Sequence, residues 1–232
     1  MQIYGFQKST LLDYPNHLAC TIFTGTCNFR CPFCHNGQLV LQPQSLSTID
    51  ETDIFSYLQK RQMILEGVCI TGGEPTLQKD LKPFIIQLRE LGYHIKLDTN
   101  GYRPDILEDL LSEHLLDYIA MDIKNSPQHY AKTSGLSTIN LQTINTAIEL
   151  ITQSSIDYEF RTTVVKELHT LDDMIAISNW LPSHSKYYMQ SYQSCPTILS
   201  EGYHAHPIET LQQFLYAMQK HLPHATLRGV DL

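Results

Sequence analysis

The stretch His94-Ile95-Lys96-Leu97-Asp98-Thr99-Asn100-Gly101 alternates polar or charged residues with apolar ones and closes on an Asn-Gly turn signal. A period of two marks a β-strand with unlike faces, and Asn-Gly marks its end. A second stretch, Glu159-Phe160-Arg161-Thr162-Thr163-Val164-Val165, repeats the pattern, with Glu159, Arg161 and Thr163 on one side. Both sit in a chain that alternates short apolar runs with amphipathic segments. Strands are expected at Leu18–Thr24, Val68–Thr71, His94–Thr99, Asp117–Asp122, Asp157–Val165 and Lys186–Ser191. Helices are expected from a capping box at Ser47–Asp50 to Gln62, over Leu81–Leu91 up to Gly92, from Pro104 to His114, from the cap Asn140 to Ile151, over Leu171–Leu181 and over Ile208–His221, before an apolar tail at Ala225–Val230. Six βα units in series imply parallel strands joined by right-handed crossovers. Parallel strands covered on both faces are normally apolar throughout. Charges at His94, Lys96, Asp98, Glu159 and Arg161 therefore suit a barrel whose interior is a wet reaction chamber. The expected fold is an incomplete (β/α)6 TIM-like barrel of parallel strands, open on one side.

The 232 residues are 42% hydrophobic and 17% charged, an ordinary globular balance that supports one domain spanning residues 1–232. No Gly/Ser/Pro-rich linker divides the chain. A formal net charge of −8 argues against sequence-independent nucleic-acid binding, which needs Lys and Arg against phosphates. Residues Met1–Thr10 lack the order of a signal peptide, and no apolar run approaches membrane-spanning length. The expectation is a soluble cytoplasmic protein with neither nucleic-acid nor membrane partners.

The segment Thr26-Cys27-Asn28-Phe29-Arg30-Cys31-Pro32-Phe33-Cys34-His35-Asn36 has the spacing C-x3-C-x2-C. Such short spacing lets three thiolates point into one small volume at little loop-closure cost. In a chain of this size without an export signal, it reads as metal or cluster chemistry rather than a disulfide framework. Three thiolates on a cubane cluster leave one iron open for a chelating substrate. The alternative is zinc with His35 as fourth ligand, but adjacent Cys34 and His35 reach one tetrahedral ion poorly.

Three further stretches end expected strands. Ile70-Thr71-Gly72-Gly73-Glu74-Pro75 offers a glycine turn that lets backbone approach a ligand, or simply a turn capping a helix. Asp98 and Thr99, and Asp122 and Lys124, lie where barrel active sites form, though a carboxylate there also serves as a helix cap. Arg161, if buried, needs an anion: a ligand carboxylate or a neighbouring Asp or Glu.

The C-x3-C-x-aromatic-C pattern, with Phe33 as the aromatic, resembles the signature of the radical S-adenosylmethionine (SAM) superfamily. The opening Tyr4-Gly-Phe-Gln-Lys-Ser-Thr-Leu-Leu-Asp13-Tyr-Pro15, followed by Cys27 to Asn36, resembles the activating enzymes of glycyl radical enzymes. That group includes the activator of anaerobic ribonucleoside-triphosphate reductase. The resemblance implies that Cys27, Cys31 and Cys34 hold a 4Fe–4S cluster at which SAM is cleaved reductively. It implies a SAM-binding set of Phe33, Gly72, Gly73, Glu74, Asp98, Thr99, Asp122, Lys124, Arg161 and Gln190. Within that set the glycine loop takes the amino group, Asp122 and Lys124 the ribose and carboxylate, Arg161 the carboxylate and Gln190 the adenosine. A monovalent cation near Asp98 and Asp122 is a further implication. The implied partners are a glycyl radical enzyme, first the anaerobic ribonucleotide reductase, and a flavodoxin- or ferredoxin-type electron donor.

The competing readings are activation of pyruvate formate-lyase or another glycyl radical enzyme, a small-molecule enzyme such as a deazapurine synthase, and a zinc-stabilised binding module. Cys20 and Cys69 read as small buried hydrophobes, Cys195 as a bystander thiol, and Trp180, Tyr187 and Tyr188 as packing. The pair His204 and His206 reads as loop histidines that could bind a metal.

Overall fold

The computed structural model describes residues 1–230. Eight strands form one sheet whose order follows the chain. They are β1 (Ile3–Thr10), β2 (Ala19–Thr24), β3 (Gly67–Gly72), β4 (His94–Thr99), β5 (Tyr118–Asp122), β6 (Asp157–Val164), β7 (Tyr187–Ser191) and β8 (Ala225–Arg228). β1 runs antiparallel to β2, whereas β2–β3, β3–β4, β6–β7 and β7–β8 pair in parallel. The six expected strands are β2 to β7. β1 and the apolar tail β8 are additional, at the two ends of the strand order. Helices Glu51–Gln59, Leu81–Glu90, Pro104–Ser112, Leu141–Gln153, Leu171–Trp180 and Ile208–Met218 follow β2, β3, β4, β5, β6 and β7 respectively. Two short helical segments, Gly37–Leu41 and Tyr130–Thr133, lie in the connections after β2 and β5.

The described residues fall into two compact units. The first comprises Met1–Asn28, Gln38–Ala120 and Ser154–Asp157. Its core forms because the apolar positions of β2, β3 and β4 come into register, Cys20 opposite Val68 and Val68 opposite Ile95. Ile54, Leu58, Phe84, Ile85 and Leu88 of the helices pack there with essentially no exposure. The helix Leu81–Glu90 stops at Gly92, whose φ of +84° only glycine adopts freely and whose N–H donates to the Arg89 carbonyl at 2.8 Å. The Ser47–Asp50 capping box does not form: Asp50 takes the N-cap position, without a side-chain cap bond.

The polar face of β4 differs from the wet chamber expected of it. Lys96 is only 2% exposed. Its ammonium pairs with Asp98, lies 3.7 Å from the Cys69 sulfur and faces the Tyr118 ring at 5.9 Å. A lysine in so dry a place needs such partners, because an uncompensated buried charge is costly. His94, at the exposed start of the strand, stands outside this group.

The second unit comprises Phe29–Gly37, Met121–Gln153 and Tyr158 onward. Phe160, Thr162 and Val164 of β6 and Tyr187 and Met189 of β7 are buried on one face. The other face carries Arg161, Thr163, Tyr188, Gln190 and Arg228, all part-exposed, with Arg161 opposite Tyr188, Thr163 opposite Gln190 and Gln190 opposite Arg228. Thr170 and Asp173 make a true capping box for Leu171–Trp180. Asn140 caps the helix Leu141–Gln153 as expected, its side-chain oxygen accepting from the Gln142 N–H at 3.0 Å.

Candidate active site

In the first unit the glycine loop closes on the segment that leads into Cys27. The Gly73 N–H donates to the Thr24 carbonyl at 2.9 Å and the Glu74 N–H to the Thr26 carbonyl at 2.8 Å. A Cβ on Gly72, whose φ is +117°, would lie 2.3 Å from the Thr24 oxygen. One on Gly73 would lie 1.8 Å from the Thr26 oxygen. Both positions need glycine so that backbone can lie on backbone. Thr26 itself holds φ at +64°, a left-handed conformation rare for a β-branched residue, immediately before the first cysteine of the motif.

Glu74 is fully buried and its carboxylate is saturated. Oε1 accepts from the Thr76 N–H at 3.1 Å, the Thr76 hydroxyl at 2.6 Å and the Thr99 hydroxyl at 2.8 Å. Oε2 accepts from the Asn100 N–H at 2.7 Å. Desolvation raises its pKa and these four donors pull it back. Glu74 thus ties the loop after β3 to the end of β4. Asn100, which the sequence offered only as half of a turn signal, donates from its side-chain amide to the Asn28 Oδ1 at 2.7 Å and lies 3.8 Å from the Cys27 sulfur. The unit therefore gathers Cys27, Asn28, the glycine loop, Thr99 and Asn100, whereas Asp98 turns to Lys96.

In the second unit Cys31 is buried and Cys34 half-buried. Burial pushes the Cys31 thiol up to about 11, and the Lys124 charge draws it back. Burial raises Cys34 as well. Asp122 at the end of β5 accepts from Lys124 Nζ at 2.9 Å and from Arg161 Nε at 2.5 Å. These two cations hold its carboxyl far below the usual range despite desolvation, and Asp122 in turn raises Lys124. Arg161 therefore has the carboxylate neighbour that its burial demanded. Asp98 and Asp122, the pair implied for a monovalent cation, each carry a cation of the chain itself.

The segment between β7 and the last helix straps the loop of residues 31–36 in this unit. Leu199 donates to the Cys34 carbonyl at 3.1 Å, Ser200 to the Pro32 carbonyl at 2.9 Å and the Thr197 hydroxyl to the His35 carbonyl at 2.6 Å. His35 Nε2 lies 2.7 Å from the Gln193 carbonyl, so that nitrogen is engaged by the strap. Further along, His204 pairs with Glu167 at 2.8 Å and His206 with the His169 carbonyl at 3.0 Å, so both expected loop histidines brace the β6–helix turn. His169 is buried, lies 2.9 Å from the Lys124 carbonyl through Nε2, and meets the Phe33 ring edge-on at 6.5 Å between centroids. Gln190 shares the strand face of Arg161, opposite Thr163.

Three cysteines are the donor type of an iron–sulfur cluster, and among the described residues no three His, Cys, Asp or Glu side chains are already gathered around a metal position. None of Cys27, Cys31 and Cys34 is in a disulfide, a buried thiol becomes the charged ligand when metal replaces its proton, and the Lys124 charge favours that form at Cys31. Among the described residues no helix is long and apolar enough to cross a membrane.

The model of the Radical SAM superfamily matches residues 21–181. Two proteins of Methanocaldococcus jannaschii, each described as "Putative glycyl-radical enzyme activating enzyme", resemble this chain. One is 30% identical over 195 residues, covering 82% of this chain and 80% of the relative. The other is 29% identical over 164 residues, covering 69% of this chain and 62% of the relative. Among solved structures, Streptococcus suis SuiB bound to S-adenosylmethionine has a TM-score of 0.68 at 12% identity over 90% of this chain. The chain spans about half of SuiB (49%), and the likeness is one of fold: a mostly parallel α/β sheet that does not close, the partial barrel expected from the strand pattern. On the match across residues 21–181, the chain belongs to the radical SAM superfamily, whose chemistry implies a 4Fe–4S cluster and SAM.

Proposed function

We propose that the chain is the activating enzyme of a glycyl radical enzyme, with the anaerobic ribonucleoside-triphosphate reductase as its target and a flavodoxin- or ferredoxin-type protein as electron donor. The observation that carries this reading is the archaeal activating-enzyme relative, aligned over 82% of this chain with 30% identity.

In this reading Cys27, Cys31 and Cys34 ligate the cluster, and the remaining named residues bind and orient SAM. When bound, the cluster and SAM supply one-electron cleavage of the sulfonium–carbon bond and a radical able to take hydrogen from a glycine Cα. The chain's task is to place and enclose its ligand. Lys124 and Arg161, fixed by Asp122, present cations to an amino-acid carboxylate. The glycine loop offers backbone to the amino group, because the Glu74 carboxylate already has four donors. Phe33, Thr99 and Gln190 complete the SAM set. None of the six cysteines is in a disulfide, which fits a reducing cytoplasm.

The test is to mix the anaerobically reconstituted, reduced protein with SAM and the anaerobic reductase and to record the electron paramagnetic resonance spectrum. A glycyl radical signal is expected. A signal only with pyruvate formate-lyase would move the target, and deoxyadenosine release that depends on a small metabolite instead would overturn the activating-enzyme reading.

A further inference from the structure

A row of alternating charges crosses the part-exposed strand face of the second unit. Arg228, at the end of β8, reaches back over the Tyr188 ring, its guanidinium carbon 3.3 Å from the ring centroid. It grips Glu159 with both terminal nitrogens, Nη1 to Oε1 at 2.9 Å and Nη2 to Oε2 at 2.8 Å. Glu159 is 1% exposed, and its Oε1 stands 4.0 Å from Arg161 Nη1. Arg161 then bonds Asp122, and Asp122 bonds Lys124. Two carboxylates alternate with three cations, so this row carries one positive charge in excess.

A buried ion pair is a weak source of stability, since desolvating both partners offsets their attraction. The geometry of this one instead suits a device for orientation. The bidentate Arg228 fork fixes both Glu159 oxygens, and stacking on Tyr188 fixes the fork. A carboxylate so held sets where the neighbouring Arg161 guanidinium can lie, while Asp122 holds its Nε. A guanidinium pinned on two sides meets an incoming carboxylate without first losing its own freedom.

We propose that Glu159, anchored by Arg228, is a positioning residue that aims Arg161 at the carboxylate of an amino-acid ligand. This rests on the reading of Arg161 as a SAM-carboxylate contact. The test measures SAM dissociation constants by equilibrium dialysis on the reconstituted, oxidised holoenzyme. Glu159→Gln removes the charge and keeps the shape; Arg228→Met removes the anchor at a third-exposed position, and carries the test should Glu159→Gln not fold. Each is expected to weaken SAM about tenfold in the parent and to have little effect in an Arg161→Lys background, because coupled residues are not additive. Equal weakening in both backgrounds, or none in the parent, would overturn the inference. An Arg161→Lys variant that binds SAM as the parent does would instead remove the underlying reading of Arg161, and the positioning role with it.

Discussion

Glu74 is a motif residue whose carboxylate is taken up by donors of the chain itself. Its carboxylate offers acceptors only, and all four neighbours are donors: the Thr76 N–H and hydroxyl, the Thr99 hydroxyl and the Asn100 N–H. Glu74→Gln replaces one oxygen with an amide nitrogen that can only donate. A donor then faces a donor in a site without water access, whichever way the amide turns. Leaving a buried group unsatisfied costs its full desolvation penalty. The variant is expected to lose about 3 kcal/mol of stability in urea unfolding. SAM affinity should fall only as far as Asn100 and the glycine loop loosen. Loss of SAM binding at unchanged stability would instead make the carboxylate a direct ligand.

Among the elements, the turn between β6 and the helix Leu171–Trp180 depends on one neutral imidazole. His169 Nδ1 accepts from the Val165 N–H at 3.0 Å, while Nε2 donates to the Lys124 carbonyl at 2.9 Å. Both bonds form only with the proton on Nε2 and none on Nδ1. Burial lowers the pKa of His169, outweighing the backbone bonds that raise it. A histidine lowered on folding contributes stability that is fully present above its unfolded pKa of about 6.5. That stability is lost as pH falls from there toward the lowered folded value, because the unfolded chain takes the proton first. Unfolding free energy measured at pH 7.5 and pH 5 should therefore fall more in the parent than in His169→Gln. Equal slopes would mean that the ring titrates alike in both states and that the turn does not depend on its neutral form.

Across the whole molecule, local repetition was legible in the sequence and distant pairing was not. The apolar runs of β2 to β7 and the cysteine, glycine and Asp-x-Lys motifs each announce themselves within a few residues. β1 hid because much of it is exposed, its residues Gln7, Lys8 and Ser9 all facing solvent, and β8 because four residues carry no period. The grip of Arg228 on Glu159 and the bond from Asn100 to Asn28 join residues 69 and 72 apart, for which no local pattern exists. Local reading also placed Lys96 and Asp98 in a wet chamber, where pairing with each other permits a dry one. The same distinction governs how cluster loading should act on the chain. A buried thiol such as that of Cys31, raised to about 11, is protonated and neutral at pH 7, so the unloaded chain already folds around it as a small apolar group. Cys31→Ala should leave the far-ultraviolet circular dichroism of the unloaded protein unchanged. Loading binds the folded chain preferentially and must raise its stability by mass action. With iron and sulfide well above the dissociation constant, the parent is expected to melt roughly 5 to 10 °C higher than its stripped form. Cys31→Ala should show no such rise and release no 5′-deoxyadenosine. A variant that takes up the full complement of iron, gains the same melting temperature and cleaves SAM at the parental rate would remove Cys31 from the ligand set.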